Sequence, residues 1–241
     1  MPPESSSGSR LGALGGPEVP VLTPGTPPPF PLRWGFSTRL DAPETLPPRR
    51  LDQVHRCGVV EAGEAVVAAD GIWTTRPGIP IGVRVADCVP ILLAGPLADG
   101  RPWVAALHAG WRGATGHGDA DPGGGILRRG VARFQALGGR PGDLAWALGP
   151  AILACHFEVG PEVIEAARLD PAWREDLQAP GPSGRPHLDL HGFLRAQALH
   201  LGLDPEQDGS VPLCTVCRPD LLYSYRSGDT TGRQWGWVEI L

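Results

Sequence analysis

The chain of 241 residues contains neither lysine nor asparagine, so all 21 of its basic side chains are arginines. Without lysine there is no Schiff-base amine and no P-loop lysine; without asparagine there is no N-glycosylation sequon. Any bound phosphate must be held by arginine, backbone N–H groups and hydroxyls. Arginine in place of lysine, with 34 glycines and 28 prolines, is consistent with a GC-rich genome and with heat tolerance. Positive charge is not in excess, the net charge being −5. That balance argues against nucleic acid or a membrane surface as partner and favours a small neutral or anionic substrate. Long apolar runs are missing as well. The longest, residues 79–95, is interrupted by Arg84 and Asp87, and no basic-then-apolar leader is present. The five cysteines are odd in number and irregularly spaced, as expected of reduced thiols in a soluble, cytoplasmic protein.

Residues 1–31 hold nine prolines among many glycines and serines, without a hydrophobic period, and read as a disordered tail. Residues 32–241 read as one catalytic domain, opening with an edge strand over 32–38. Short apolar segments at 65–69, 79–85, 89–94, 103–108 and 144–148, bounded by Gly, Pro or Asp, predict strands covered on both faces. Helical periods fall at 126–138, 160–168, 171–177 and 189–201, with Asp189 placed to cap the last, and residues 235–241 predict a final strand. The pattern predicts an α+β (mixed α/β) fold, a single layered domain with a mixed β-sheet flanked by helices. The glycine-rich stretch 114–125 reads as an insertion between a strand and a helix.

Three apolar segments end on side chains with chemistry: His55, Cys88 and His108. Their spacing is not a compact metal signature, and two core histidines with a buried cysteine is the plain alternative. If they meet, they offer a thiolate and two imidazoles with one position open, the pattern of a catalytic zinc site, with copper the lesser option. Without metal, the same three residues would make a Cys88 nucleophile with a histidine base. Asp87 would orient a histidine or, more simply, bond its own turn. Arg112 and Arg39 are candidate anion contacts, with surface ion pairing as the alternative. The C-x-x-C pair Cys214 and Cys217 lacks a second pair, and His156, beside Cys155, has no partner evident in the sequence. His187 and His191 read as incidental histidines at a helix start, and His117, Asp119 and Asp121 as members of a flexible acidic loop.

Taken in order, GFSTR at 35–39, QVH at 53–55, DGIWT at 70–74, ADC at 86–88 and HAGWRG at 108–113 form a recognisable series. It continues with GP at 149–150, CHFEVG at 155–160, LDL at 188–190, CT at 214–215, YSYR at 223–226 and TGR at 231–233. The series resembles the laccase-domain, polyphenol oxidase or purine nucleoside phosphorylase family, formerly a domain of unknown function; the ADC and HAGWRG pair is its specific part. The resemblance implies a mixed α/β sandwich in which His55, Cys88 and His108 are zinc ligands at the active site. It implies purine nucleosides and phosphate as partners, with phosphorolysis of adenosine, inosine and methylthioadenosine, and adenosine deamination, as activities beside an older laccase label. Alternatives are a metal-free Cys-His thiol amidohydrolase and a zinc-stabilised binding protein. Multicopper chemistry would need many more histidines at one site than a chain with seven in all is expected to supply. The chain departs from the family pattern in a short segment between Arg39 and Gln53, in Arg56 where a glycine is customary, and in the insertion after Gly113.

Overall fold

The structure, a computed structural model, describes residues 21–40, 49–119 and 124–241. Its centre is an antiparallel hairpin of two eight-residue strands, β5 (Val89–Pro96) and β6 (Pro102–Ala109). Successive side chains of a strand point to opposite faces. Ile91, Leu93, Trp103 and Leu107 therefore enter one core, and Leu92, Ala94, Val104 and Ala106 another. Burial on both faces explains why these segments are continuous apolar runs rather than alternating ones.

Around the hairpin, β3 (Gly71–Thr74) pairs with β6 and β7 (Ala145–Leu148) with β5, while β2 (Val59–Glu61) joins β3 in parallel. The resulting mixed sheet has the order β2-β3-β6-β5-β7. One face is covered by a second sheet, in which β1 (Leu32–Phe36), β10 (Gln234–Ile240) and β4 (Ile81–Val85) lie in the order β1-β10-β4. The other face carries α1 (Trp111–Thr115), α2 (Ile126–Ala136), α3 (Pro161–Arg168) and α4 (Leu190–His200). A two-stranded ribbon, β8 (Gln178–Pro180) with β9 (Pro186–Leu188), lies between α3 and α4 in sequence. The layers run sheet, sheet, helices, so the expected layered α+β domain has helices on one face of its mixed sheet and a second sheet on the other.

Helix α2 buries Ile126, Leu127, Gly130, Val131 and Phe134, one stripe of its surface. Gly130 lets this helix lie close to the sheet, because a Cβ there would sit 2.7 Å from Leu107 Cδ1. Phe134 closes the contact with its ring centroid 5.0 Å from that of Trp103. Asp189 caps α4 as its position suggested, accepting from the Gly192 N–H at 2.8 Å.

Three expectations need correction. The strand expected at 65–69 is reduced to a single bridge, Asp52 with Ala68; Val66 and Val67 find no core and are exposed. The helix expected at 171–177 is a turn followed by one 3₁₀ turn at Glu175–Leu177. There Asp170 Oδ1 accepts from the Ala172 N–H at 2.8 Å, and this local bond competes with helix formation. Of the stretch read as a disordered tail, residues 1–20 lie outside the described ones, but 21–31 pack onto the fold. Leu22 bridges Phe36, the Gly25 N–H reaches the Gly209 carbonyl at 3.1 Å, and Leu22 and Phe30 pack on the core between the sheets. Within the glycine-rich insertion, Ala114 and Thr115 are buried parts of α1, and residues 120–123 lie outside the described ones. Among the described residues no helix is long and apolar enough to cross a membrane.

Because Phe134 is fully buried between helix and sheet, Phe134→Ala should cost about 3–5 kcal/mol in denaturant unfolding. Leu199→Ala, at a partly exposed position of α4, should shift stability by less than about 1 kcal/mol. Equal effects of the two would contradict the core assignment.

Candidate metal centre

Strand register builds the site. Pairing of Val89 with Ala109 and Pro90 with His108 brings Cys88, just before β5, opposite Gly110 at the end of the sheet where β6 delivers His108. Gly110 relieves this crowding, since a Cβ there would stand 3.0 Å from Cys88 Sγ and 3.4 Å from His55 Cδ2, closer than side chains usually pack. Pairing of Gly71 with Leu107 places Asp70 beside His108. The His108 N–H donates to the Asp70 carbonyl at 2.7 Å, and His108 Nδ1 lies 2.8 Å from Asp70 Oδ1.

His55 arrives on a loop wrapped around the same carboxylate. The backbone N–H groups of Val54, His55 and Arg56 donate to Asp70 at 3.3, 2.9 and 2.7 Å. They hold His55 at φ +58°, a left-handed conformation. For a residue with a Cβ that conformation costs about 1–2 kcal/mol. One donor atom each from His55, Cys88 and His108 then lies within 4.8 Å of the others. The two rings meet edge to face, with centroids 4.7 Å apart.

The electrostatics follow from this packing. Burial works to raise the Cys88 thiol, but the charges and hydrogen bonds of His108 and His55 hold it down to about 6. Burial works to lower His108, and the Cys88 thiolate and Asp70 carboxylate raise it to about 9. Burial opposes ionisation of Asp70 too, yet its bonds to His108 and to the loop amides keep its carboxyl below the usual range. Between these limits the pair stands as thiolate and imidazolium. A soft thiolate with two imidazoles is a donor set for zinc, three protein ligands leave a fourth position for substrate or water, and Asp70 supplies the carboxylate that orients a ligating histidine.

The three side chains line a cavity of about 560 Å³, together with Gln53, Arg84, Ile152, Phe157, Tyr225, Arg226 and Arg233 among others. Arg39 and Arg112 do not line it. Arg39 bonds Asp229 Oδ2 at 3.0 Å and the Leu222 carbonyl, and lies over the Tyr223 ring; Arg112 lies 4.2 Å over the Trp111 ring at the surface. Arg84 does line the cavity; its buried Nε has no hydrogen-bond partner among the described residues, and its guanidinium lies 5.9 Å from the centre of the Trp235 ring. An arginine between two valines in a strand carried no signal of its place on the cavity.

Asp87 takes neither expected role: its carboxylate bonds residues far along the chain instead of its own turn or a histidine. At φ +86° it accepts the Thr215 hydroxyl at 2.6 Å and the Arg226 N–H at 2.7 Å. Arg56 turns from the cavity to the Gly118 carbonyl, 2.5 Å away. His187 bonds the Ala154 carbonyl at 2.6 Å, and His191 is buried on α4 away from this cavity. His117 packs on Trp111, and Asp121 lies outside the described residues. Asp70, noted in the sequence only as part of a motif, proves central to the geometry. Its one sequence signal is a carboxylate that closes an apolar stretch directly before a strand.

Residues 37–241 match the family described as multi-copper polyphenol oxidoreductase laccase. The chain belongs to this family. A purine nucleoside phosphorylase of Corynebacterium glutamicum is 37% identical over 176 residues, 73% of this chain and 65% of that protein, so the match spans just under two thirds of the relative. One of Deinococcus radiodurans is 34% identical over 79% of this chain and 69% of its own length. An adenosine deaminase, RL5, from an unknown prokaryotic organism is 32% identical over 76% of this chain and 67% of its own. The crystal structure of YlmD from Geobacillus stearothermophilus superposes with a TM-score of 0.74 at 25% identity, covering 90% of this chain and 94% of that one. These likenesses agree with the layered architecture reached from the sequence.

In chelator-treated protein, Cys88 should be alkylated with a pH midpoint near 6 rather than the ordinary value of about 8.5. Cys57, fully buried and raised to about 12 by that burial and by Asp119, should stay unreactive until unfolding. Asp70→Asn removes support for the His108 imidazolium and should move the Cys88 midpoint up. Peptide mapping of the alkylated sites reads all three, and an unshifted Cys88 would contradict the ion pair.

Proposed function

We propose that the chain is an enzyme acting on purine nucleosides, a zinc-dependent purine nucleoside phosphorylase taking adenosine, inosine and methylthioadenosine, with adenosine deamination at the same centre. His55, Cys88 and His108 are the proposed zinc ligands. The observation that carries the reading is their convergence on one cavity that is also lined by Arg84, whose Nε has no hydrogen-bond partner among the described residues. The names of the relatives supply the substrate class.

When bound, zinc supplies Lewis acidity, polarising an oxygen or lowering the pKa of a water. The protein's own groups account for the rest. Asp70 holds Nδ1 of His108 and leaves Nε2 as the ligand atom. Arg84 offers a buried donor that a phosphate oxygen would satisfy, a charge-assisted bond of the kind this lysine-free chain must use. Arg84 thus takes the part first expected of Arg39 or Arg112, whose guanidinium groups are engaged elsewhere. Phe157 and Tyr225 give the cavity flat aromatic surface suited to a purine ring. Arg226 reaches the Glu158 carbonyl and lies over Phe157, ordering the wall.

A second reading, a thiol amidohydrolase, draws on the Cys88 and His108 ion pair, in which the histidine has already taken the thiol proton and leaves an activated nucleophile beside a general acid even without metal. Laccase chemistry is poorly matched by the donors. Among the described residues only two histidines join the cavity cluster, too few for a multicopper set.

Elemental analysis of wild type and Cys88→Ser, with inosine and adenosine assays in the presence and absence of phosphate, tests the reading. The variant should lose one zinc per chain and at least about 100-fold in phosphate-dependent base release. Metal-free protein that stays active and is blocked by alkylation of Cys88 would transfer the assignment to thiol hydrolysis.

Arg84→Ala should raise the KM for phosphate about 10-fold or more, the loss of one charged hydrogen bond, while leaving zinc content intact. Arg112→Ala should leave that KM unchanged. The reverse order would return the phosphate contact to Arg112.

A further inference from the structure

A second group of ligand-type side chains gathers away from the first. Cys155 and His156 come from the turn after β7, and Cys214 and Cys217 from a turn far along the chain. One donor atom from each lies within 4.8 Å of the other three. Cys155 Sγ is 3.8 Å from Cys217 Sγ. His156 Nδ1 stands 3.2, 3.5 and 3.7 Å from the sulfurs of Cys155, Cys217 and Cys214. A tetrahedral zinc with Zn–S of about 2.3 Å and Zn–N of about 2.0–2.1 Å requires S···S edges of about 3.8 Å and S···N edges of about 3.6 Å. The Cys155–Cys217 separation matches an S···S edge, the His156 separations from Cys217 and Cys214 match S···N edges, and that from Cys155 is shorter. Thiols are weak donors and weak acceptors, so hydrogen bonding alone gives little reason for three of them to converge on one ring nitrogen.

We propose that Cys155, His156, Cys214 and Cys217 form a second zinc site, a closed Cys₃His tetrahedron that is structural rather than catalytic. Four protein ligands leave no open position, in contrast to the three at His55, Cys88 and His108.

The site's place in the fold gives it a task. It joins two turns that run without strand or helix beside the cavity. Ala151 bridges Cys214, and the Thr215 N–H reaches the Ala151 carbonyl at 3.0 Å. Thr215 and the Ile152 N–H both bond Asp87, the neighbour of Cys88. Arg226 reaches the carbonyls of His156 and Glu158, and Ile152 and Phe157 line the cavity. A metal clip here holds the cavity wall where no packed element does, which is how a structural ion contributes folding energy.

The test uses the full chain, purified in reductant with zinc supplied, in the Cys88→Ser background. Zinc content should stay near one per chain there, fall by one equivalent on adding Cys217→Ser, and persist with Cys217→His. Cobalt(II) loaded into Cys88→Ser should give tetrahedral visible bands and a thiolate-to-cobalt charge-transfer absorption of multi-thiolate strength, both lost with Cys217→Ser. Circular dichroism reports whether each variant is folded. Unchanged zinc in the Cys217→Ser double variant would overturn the proposal. So would a folded, zinc-free Cys88→Ser protein, or a Cys155–Cys217 disulfide found in protein prepared this way. None of these readouts depends on the nucleoside reading.

Discussion

The buried carboxylate of Asp70 is the interaction on which the site depends. It is fully inaccessible, and a charge so placed is costly unless its lone pairs are occupied. Here they are, by three consecutive loop amides and by His108. The same bonds that make its burial tolerable fix His55 in a left-handed conformation and orient the His108 ring. One group therefore positions two of the three candidate ligands. The third, Cys88, needs no such support, because hairpin register alone brings it to Gly110.

Asp70 can do this only because the sheet is rigid around it. β3 and β6 are paired residue for residue, and both faces of the sheet are packed. A one-residue slip would send every core side chain to the opposite face, so the register is strongly specified. Site precision is thus inherited from hydrophobic burial several residues away. Gly110 is the point where the two demands meet. The backbone approaches Cys88 and His55 so closely that a side chain there would crowd both, and HAGWRG carries a glycine at that point.

What the sequence made legible follows the same physics. The buried strands at 89–94 and 103–108, the amphipathic helix beginning at Ile126 and the Asp189 cap were readable because periodicity and capping are local. The apolar segment at 65–69 looked like a strand because composition does not reveal whether a partner strand lies beside it. The 171–177 period misled because Asp170 bonds the backbone itself. Of the site, His55, Cys88 and His108 were visible as chemistry at segment ends. The roles of the arginines were not, since a motif shows where an arginine occurs but not which partners engage its guanidinium. Arg39 is engaged by Asp229 and Tyr223; Arg84, noted only as a break in an apolar run, keeps a buried nitrogen unpaired among the described residues. The C-x-x-C pair looked solitary for a related reason: its partners, Cys155 and His156, are brought to it by the fold and not by the chain.

The missing lysine bears on the chemistry as well as on composition. Arginine stays charged at any physiological pH, so none of the 21 basic side chains can serve as a tuned proton carrier. Proton movement in the cavity falls to thiol, imidazole, carboxyl and phenol groups, and the environment has shifted two of these strongly past one another. The arginines are left the complementary task of fixed positive charge at defined points, with Arg84 on the cavity and Arg226 in its wall. Such a division suits a reaction in which an anion must be held still while a proton moves. It also explains why losing one guanidinium and losing one thiolate should appear in different kinetic quantities, binding of the anion in the first case and turnover in the second.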